Sequence, residues 1–401
     1  MTFNLQAIAE ASTLVQQRRS PQTKGGWQEV VRAEPATSDI LTFKQYKSMS
    51  VLEQKISDQQ RMLFHSGIDA IATTAFTGAI EALEERFSGV LGNSHVALPG
   101  MLLTGPAHVG KSTVIINFGR EVEKQFRAAH KMPLAAAGEP VTRQPNGHEY
   151  LPVCYFRLDP QVLPTLRNAV RFYNPDLPAR TRYTVNDLTA ILLENIAECG
   201  TRLIVLDQMQ NLRHAIAGAD AVSEALKNIM DGAPGTMVTG AGVGLDTFRV
   251  FTEGHQNKDA HLAQTGSRFA LHHMNSYNIE NEESRKDWIR LLTTVEKSLV
   301  LYNAQPKDIT DHAQYLYEVT GGLPGGILPL LRNTANNAIT TKTERITLEL
   351  LQKNHESALM SAAKMPARIG AAQPVARKPR RVKKATSNQF NTTPAQIAVG
   401  E

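Results

Sequence analysis

Between residues 43 and 87, apolar side chains recur at three- and four-residue steps, through Leu52, Ile56, Met62, Leu63, Ile80, Leu83 and Phe87. That period predicts helices. Gly89, Gly92-Asn93 and Pro99-Gly100 then break the chain. Beyond the break the pattern changes. Short apolar runs at 101–103, 152–158, 202–206, 237–239 and 269–271 read as strands. Helical stretches at 112–124, 163–172, 185–199 and 223–230 separate them. Strands that alternate with helices imply parallel βαβ units, with both faces of the sheet covered. From 283 to 351 only helical periods occur, at 288–302, 308–320, 326–339 and 347–355. The expected organisation is a flexible arm at 1–42 with one short helix near 5–17, a helical segment at 43–98, and an α/β core at 99–275. A helical subdomain at 276–356 and a disordered basic tail at 357–401 complete it.

Charge changes this picture only at the end of the chain. The formal net charge is +5, but residues 357–400 hold eight Lys or Arg and no acid. The basic balance therefore describes the tail, which is rich in Ala, Pro, Lys and Arg and cannot build a core. Such a tail attracts polyanions without selecting among them. The two cysteines, Cys154 and Cys199, form no CxxC pair and read as idle thiols in a reducing compartment. No apolar run is long enough to span a membrane. Glu10, Gln16 and Gln17 interrupt the place where a signal peptide needs apolar residues, so a cytoplasmic location is expected.

The chemistry enters with Gly105-Pro106-Ala107-His108-Val109-Gly110-Lys111-Ser112, which fits G-x-x-x-x-G-K-[ST]. Glycines let backbone N–H groups turn inward onto phosphate oxygens. Lys111 adds a point charge for the β- and γ-phosphates. Ser112 offers a hydroxyl to Mg²⁺, and the helix that begins here directs its positive end at the same phosphates. By average composition, roughly one or two chains in a hundred would carry the pattern by chance. An apolar strand before it and an apolar-faced helix after it favour nucleotide binding, with ATP and Mg²⁺ as the expected ligands.

A second apolar strand, Leu203-Ile204-Val205-Leu206, ends in Asp207. A carboxylate there, downstream of a phosphate loop, is the expected second group on the Mg²⁺ side. The other reading is a buried strand followed by a helix cap. Gln208 departs from the usual pattern, because hydrolytic P-loop enzymes commonly place Glu at this point. An amide orients water but is a very poor proton acceptor. Three explanations stay open: slow hydrolysis, a base supplied by another group such as His214, or a residue engineered to trap ATP.

Together these motifs resemble the TniB/TnsC family of transposition ATPases, within the AAA+ class and related to phage MuB. The resemblance spans about residues 42–342. It includes Tyr46, Arg61 and His65, then Leu102-Leu103-Thr104-Gly105-Pro106-Ala107 and Gly110-Lys111-Ser112-Thr113. It continues through Thr201-Arg202-Leu203-Ile204-Val205-Leu206-Asp207, Gln210-Asn211-Leu212, Gly266-Ser267-Arg268-Phe269 and Thr320-Gly321-Gly322-Leu323-Pro324-Gly325. It implies an AAA+ P-loop NTPase core, a parallel sheet sandwiched by helices, with the helical subdomain as its lid. It also implies an ATPase that oligomerises as a ring or helical filament on double-stranded target DNA and engages a DDE transposase and a target-selector protein.

By that resemblance Arg268 is the candidate arginine finger, supplied in trans to a neighbour's γ-phosphate; the alternative is an Arg at a strand start that pairs locally. Thr239, at the end of the fourth strand, is a candidate γ-phosphate sensor, although Thr also simply suits strands. The lid's opening turn lacks the Arg that many AAA+ lids place there, and Arg332 lies two turns on. For DNA, the resemblance points to Arg167, Arg171, Arg180 and Arg182, with Phe172, Tyr173 and Tyr183 among them, as sequence-independent phosphate contacts. A solvated helix face is the alternative. A non-hydrolysing ATP-switch scaffold and a helicase loader are the competing functions. A metabolic kinase is disfavoured, because no acceptor-substrate motif is apparent.

Overall fold

The computed structural model describes residues 20–33, 41–68, 71–91, 100–135, 143–178, 182–214, 219–248 and 268–364. Among the described residues, four helices precede the sheet: α1 (Lys24–Arg32), α2 (Phe43–Ser48), α3 (Val51–Ser66) and α4 (Thr74–Leu91). Then come β1 (Gly100–Thr104), α5 (Lys111–Ala129), β2 (Val153–Arg157), α6 (Val162–Tyr173), α7 (Val185–Glu198) and β3 (Leu203–Asp207). A 3₁₀ turn at Met209–His214, α8 (Ala219–Gly232), β4 (Met237–Ala241) and β5 (Phe269–His273) complete the α/β region. The last part is helical: α9 (Glu282–Ser298), α10 (Ala313–Thr320), α11 (Pro324–Thr340) and α12 (Leu348–Lys364).

The five strands form one parallel sheet in the order β2-β3-β4-β1-β5. The inner strands β1, β3 and β4 are buried along their whole length, as expected of a sheet with helices on both faces. Their carboxyl ends lie side by side, since Leu103 pairs with Ala241 and Leu206 with Gly240. Ligands of open α/β sheets bind beyond this edge.

Two apolar cores result. One surrounds the sheet and includes Leu102, Val114, Phe118, Tyr155, Phe172, Leu188 and Val205. The other joins α9 to α12 through Trp288, Leu292, Leu316, Ile327, Leu331 and Leu351. Among the described residues, no helix is long and apolar enough to cross a membrane.

The N-terminal region departs from expectation in one way. The helix expected near 5–17 lies outside the described residues. Within the expected flexible arm, however, α1 is an ordered helix capped by Thr23, whose side chain accepts from the Gly26 N–H. Its Trp27 is buried in the sheet core. Glu149 accepts from Lys24 Nζ at 2.7 Å and from Gln28 Nε2 at 2.8 Å, which fastens the helix at its polar side. One buried indole outweighs the helix-breaking tendency of Gly25-Gly26.

The helical segment at 43–98 also divides. α4 packs on the sheet core through Ala79, Leu83 and Phe87. α3 turns a polar face inward, burying Ser57, Asp58, Arg61 and His65, and leaves Val51, Leu52, Ile56 and Leu63 exposed. Its inward face meets the terminal helical region. Arg61 forks onto Glu344 at 2.6 and 2.9 Å and onto Asp58 at 2.7 Å. Lys342 Nζ reaches Asp58 Oδ2 and the Tyr46 hydroxyl, each at 2.5 Å. The apolar period that marks α3 as a helix therefore does not mark its buried face.

Candidate nucleotide site

β1 ends at Thr104 and the chain turns into the glycine loop. Gly105 has φ +140°, and a Cβ there would stand 2.0 Å from the Met274 carbonyl oxygen. Both the conformation and the space exclude any other residue. Gly110, at φ +100°, caps α5 without a side-chain bond, so the first turn's N–H groups have no local acceptor from the cap. Between them Pro106, Ala107 and His108 are exposed and Val109 is buried. His108 adopts φ +65°, a conformation uncommon for a residue with a side chain.

Lys111 opens α5, and only 7% of its surface is exposed. Its Nζ donates to the carbonyls of Gly105 at 3.0 Å and Pro106 at 2.5 Å. Burial pushes its pKa below the usual lysine value, and the Asp207 charge offsets part of that. A buried ammonium held only by neutral carbonyls is favourably matched by an anion, and a phosphate supplies one. Ser112 is the next residue; its Oγ donates to Asp207 Oδ1 at 3.0 Å. Thr113 follows, half-buried, its carbonyl accepting from Asn117.

Asp207 closes β3. Besides Ser112, it accepts from the Gln208 N–H at 2.8 Å on Oδ1 and from the Tyr155 hydroxyl at 2.8 Å on Oδ2. Among the described residues, no cluster of three or more His, Cys, Asp or Glu could hold a metal alone. One carboxylate and one hydroxyl suit Mg²⁺, which binds through few protein groups plus phosphates and waters. Gln208 stands at φ +58°, a left-handed conformation beside the carboxylate. His214 ends the 3₁₀ turn, and its side chain lies outside the described residues.

Not every expected residue converges here. Thr239 lies in the middle of β4, because that strand runs on to Ala241. It is fully buried, and its hydroxyl donates to the Met101 carbonyl at 2.8 Å. Its hydroxyl faces the sheet interior, two residues short of the end of the strand. Arg268 precedes β5 and accepts at its carbonyl from the Gly100 N–H. It is thus at the amino edge of the sheet, one strand length, about 13–16 Å, from its own phosphate loop. Its guanidinium pairs with Asp231 at the end of α8.

Arg332 donates to the carbonyls of Leu328 and Ser66, away from the loop. The terminal helical region instead meets the cradle through backbone: the Gly325 N–H donates to the His108 carbonyl at 2.8 Å. Arg167 and Arg171 are half-buried on α6, Arg182 is exposed, and Arg180 lies outside the described residues. Phe172 and Tyr173 are core residues, so they are not available to stack on bases.

Sequence reading missed Tyr155 and the contact between His108 and Gly325. A phenol inside an otherwise apolar strand was the available signal for the first, since a buried Tyr hydroxyl usually finds a partner. The second joins two loops remote in sequence and left no local signal.

The sheet order is that of an AAA+ core, and the glycine cradle and the Ser112–Asp207 pair stand at its carboxyl edge, where a nucleotide's phosphates would bind. Residues 99–241 match the AAA domain family. Among solved structures, the chain is similar in fold to ORC1 of Aeropyrum pernix, described in complex with DNA. That match has 15% identity and a TM-score of 0.52, and it covers 74% of this chain and 68% of that one. It is similar also to ORC2 of Aeropyrum pernix, described as ADPNP-ADP complexes, with 14% identity, a TM-score of 0.50, and coverage of 70% and 67%. No curated protein matches the chain.

Proposed function

We propose that this protein is an ATP-dependent regulator of transposition that oligomerises on double-stranded target DNA and recruits a DDE transposase, alone or with a target-selector protein. The observation that carries the ATP-linked assembly is the placement of the two charged ends of the sheet. Lys111, Ser112 and Asp207 stand at the carboxyl edge, and Arg268 stands at the amino edge. A cation there has no access to its own phosphate loop, but it suits a neighbour's γ-phosphate, exchanging Asp231 for the nucleotide. ATP then bridges two protomers. Bound Mg²⁺ would neutralise phosphate charge beside Ser112 and Asp207. Gly105, Gly110 and Lys111 would hold the phosphates, with Pro106, Ala107, His108, Val109 and Thr113 completing the cradle. The transposition role rests on the motif set shared with the TniB/TnsC family, and the DNA role gains support from a fold also found in a DNA-bound protein. Arg167, Arg171 and Arg182 supply phosphate contacts in this reading.

Light scattering and electron microscopy with ATP, Mg²⁺ and duplex DNA test it. The wild type assembles, and Arg268→Ala binds nucleotide but stays monomeric. A wild-type protein that remains monomeric under these conditions rejects the assembly.

Gln208 favours a second reading, a scaffold switched by ATP binding without turnover. Its amide orients water without accepting a proton. Phosphate release separates the two: the scaffold reading requires none from the wild type. Under the first reading, Gln208→Glu is expected to raise release by about tenfold or more, since a carboxylate replaces a very poor proton acceptor.

A further inference from the structure

Asp207 has one partner that no nucleotide-site motif names. The Tyr155 hydroxyl, from β2, donates to Oδ2 at 2.8 Å, while Ser112 Oγ and the Gln208 N–H occupy Oδ1 at 3.0 and 2.8 Å. Three donors from three elements hold both oxygens of one carboxylate. Oδ1 takes the Ser112 proton, which leaves the lone pairs of that hydroxyl available to a cation.

Tyr155 is itself immobilised. Its ring stacks on the Trp27 indole, with centroids 5.8 Å apart and planes 7° from parallel. Trp27 comes from α1, outside the matched AAA domain. Its Nε1 donates to Glu123 Oε2 at 3.5 Å. Glu123 is fixed in turn by Arg127 Nε at 2.6 Å and the Val153 N–H at 3.1 Å. The close approach needs Gly119, where a Cβ would lie 3.0 Å from the indole.

We propose that Tyr155 is a positioning residue of the divalent-cation site, that it clamps Asp207 so the Ser112 hydroxyl is presented to the metal, and that Trp27 of α1 holds this clamp. The inference rests on the reading of Ser112 and Asp207 as the Mg²⁺-side pair. It makes α1 part of the nucleotide machinery. Through stacking, the segment before the AAA domain sets how tightly Mg²⁺ is held, while phosphate contacts in the cradle stay intact.

The test is a titration of Mg²⁺ against binding of a fluorescent ATP analogue to the full chain, with a parallel series in EDTA. Tyr155→Phe keeps the ring and its volume and removes only the donor. It is expected to raise the Mg²⁺ concentration at half-maximal binding about tenfold, the scale of losing a group that orients a metal ligand. Binding in EDTA should stay within twofold of wild type. Trp27→Phe, a smaller change to the stack, should shift the Mg²⁺ midpoint in the same direction by a smaller factor. In an Asp207→Asn background, Tyr155→Phe should add almost nothing, because the two act as one unit.

An unchanged Mg²⁺ midpoint in Tyr155→Phe overturns the inference. Equal weakening with Mg²⁺ and in EDTA also overturns it, since that is the signature of a merely structural tyrosine. If Tyr155→Phe does not fold, an unchanged midpoint in Trp27→Phe overturns it instead. Wild-type protein that retains no nucleotide under either condition overturns both this inference and the function on which it rests.

Discussion

Lys111 and Arg61 are both buried cations, yet their surroundings are opposite in kind. Lys111 touches two backbone carbonyls, and burial drags its pKa down with only Asp207 opposing. Arg61 is completely buried. Burial is the largest influence on it too, but bonds to Glu344 and Asp58 outweigh it and raise the pKa above the usual value. Its guanidinium also lies 3.9 Å from the centre of the Tyr302 ring. Two cations, Arg61 and Lys342, face two carboxylates, Asp58 and Glu344, so that joint is balanced within the chain. Both Lys342 and Glu344 hold positive φ in the turn that follows α11. The lesson is that a buried charge marks a ligand site when its compensation is incomplete, and a structural joint when it is complete.

The joint should respond most strongly to substitution. Glu344→Ala leaves Arg61 buried with Asp58 alone, and is expected to lower stability by about 3–5 kcal/mol. Urea unfolding reads this, and a loss under 1 kcal/mol would mean that the joint is not what holds α3 to the terminal helices. Lys111→Ala should behave in the opposite manner. Nucleotide affinity should fall about 100-fold, the scale of losing charge-assisted bonds to phosphate. Unfolding free energy should stay within about 1 kcal/mol of wild type or rise, because an undercompensated buried charge has been removed. A clear stability loss in Lys111→Ala would place both cations in one class.

A smaller effect sharpens the same contrast through pH. His65 Nε2 accepts from the Val300 N–H at 2.9 Å, so Nδ1 carries the proton that meets Asn336 Oδ1 at 3.1 Å. Protonation would destroy the first bond. Burial lowers the His65 pKa, and Arg61 adds to this while Asn336 and Glu344 oppose it. The folded pKa lies below the unfolded one, so the unfolded chain takes up the proton first as pH falls. The His65 contribution is present above about pH 6.5 and declines as pH drops through that value toward the folded pKa. Thermal midpoints between pH 7.5 and 5.5 should fall for the wild type and fall less for His65→Gln. Parallel slopes would remove His65 from the joint's energetics.

The cradle, the alternation of strands and helices, and the carboxylate that ends β3 were all legible along the chain. Their physics is local. The phosphate loop needs glycine at Gly105 and Gly110 for conformation, and its lysine and serine are the first two residues of the helix that follows. Other features needed the tertiary structure. Thr239 looked like a strand terminus, but pairing with Val205 and Met101 extends β4 to Ala241 and buries it. Phe172 and Tyr173 sat among arginines, and only packing assigns them to the core. Gly25-Gly26 hid a helix because the contact that orders it, Trp27 against Tyr155, comes from far along the chain. Arg61 showed no sign of its partner in Glu344, more than two hundred residues away. The place expected for a triphosphate is written in the order of residues alone, since every backbone group of that cradle comes from one short segment. The tertiary structure decided which buried polar groups wait for a ligand and which already have their counter-charge, because that depends on what the fold brings opposite them.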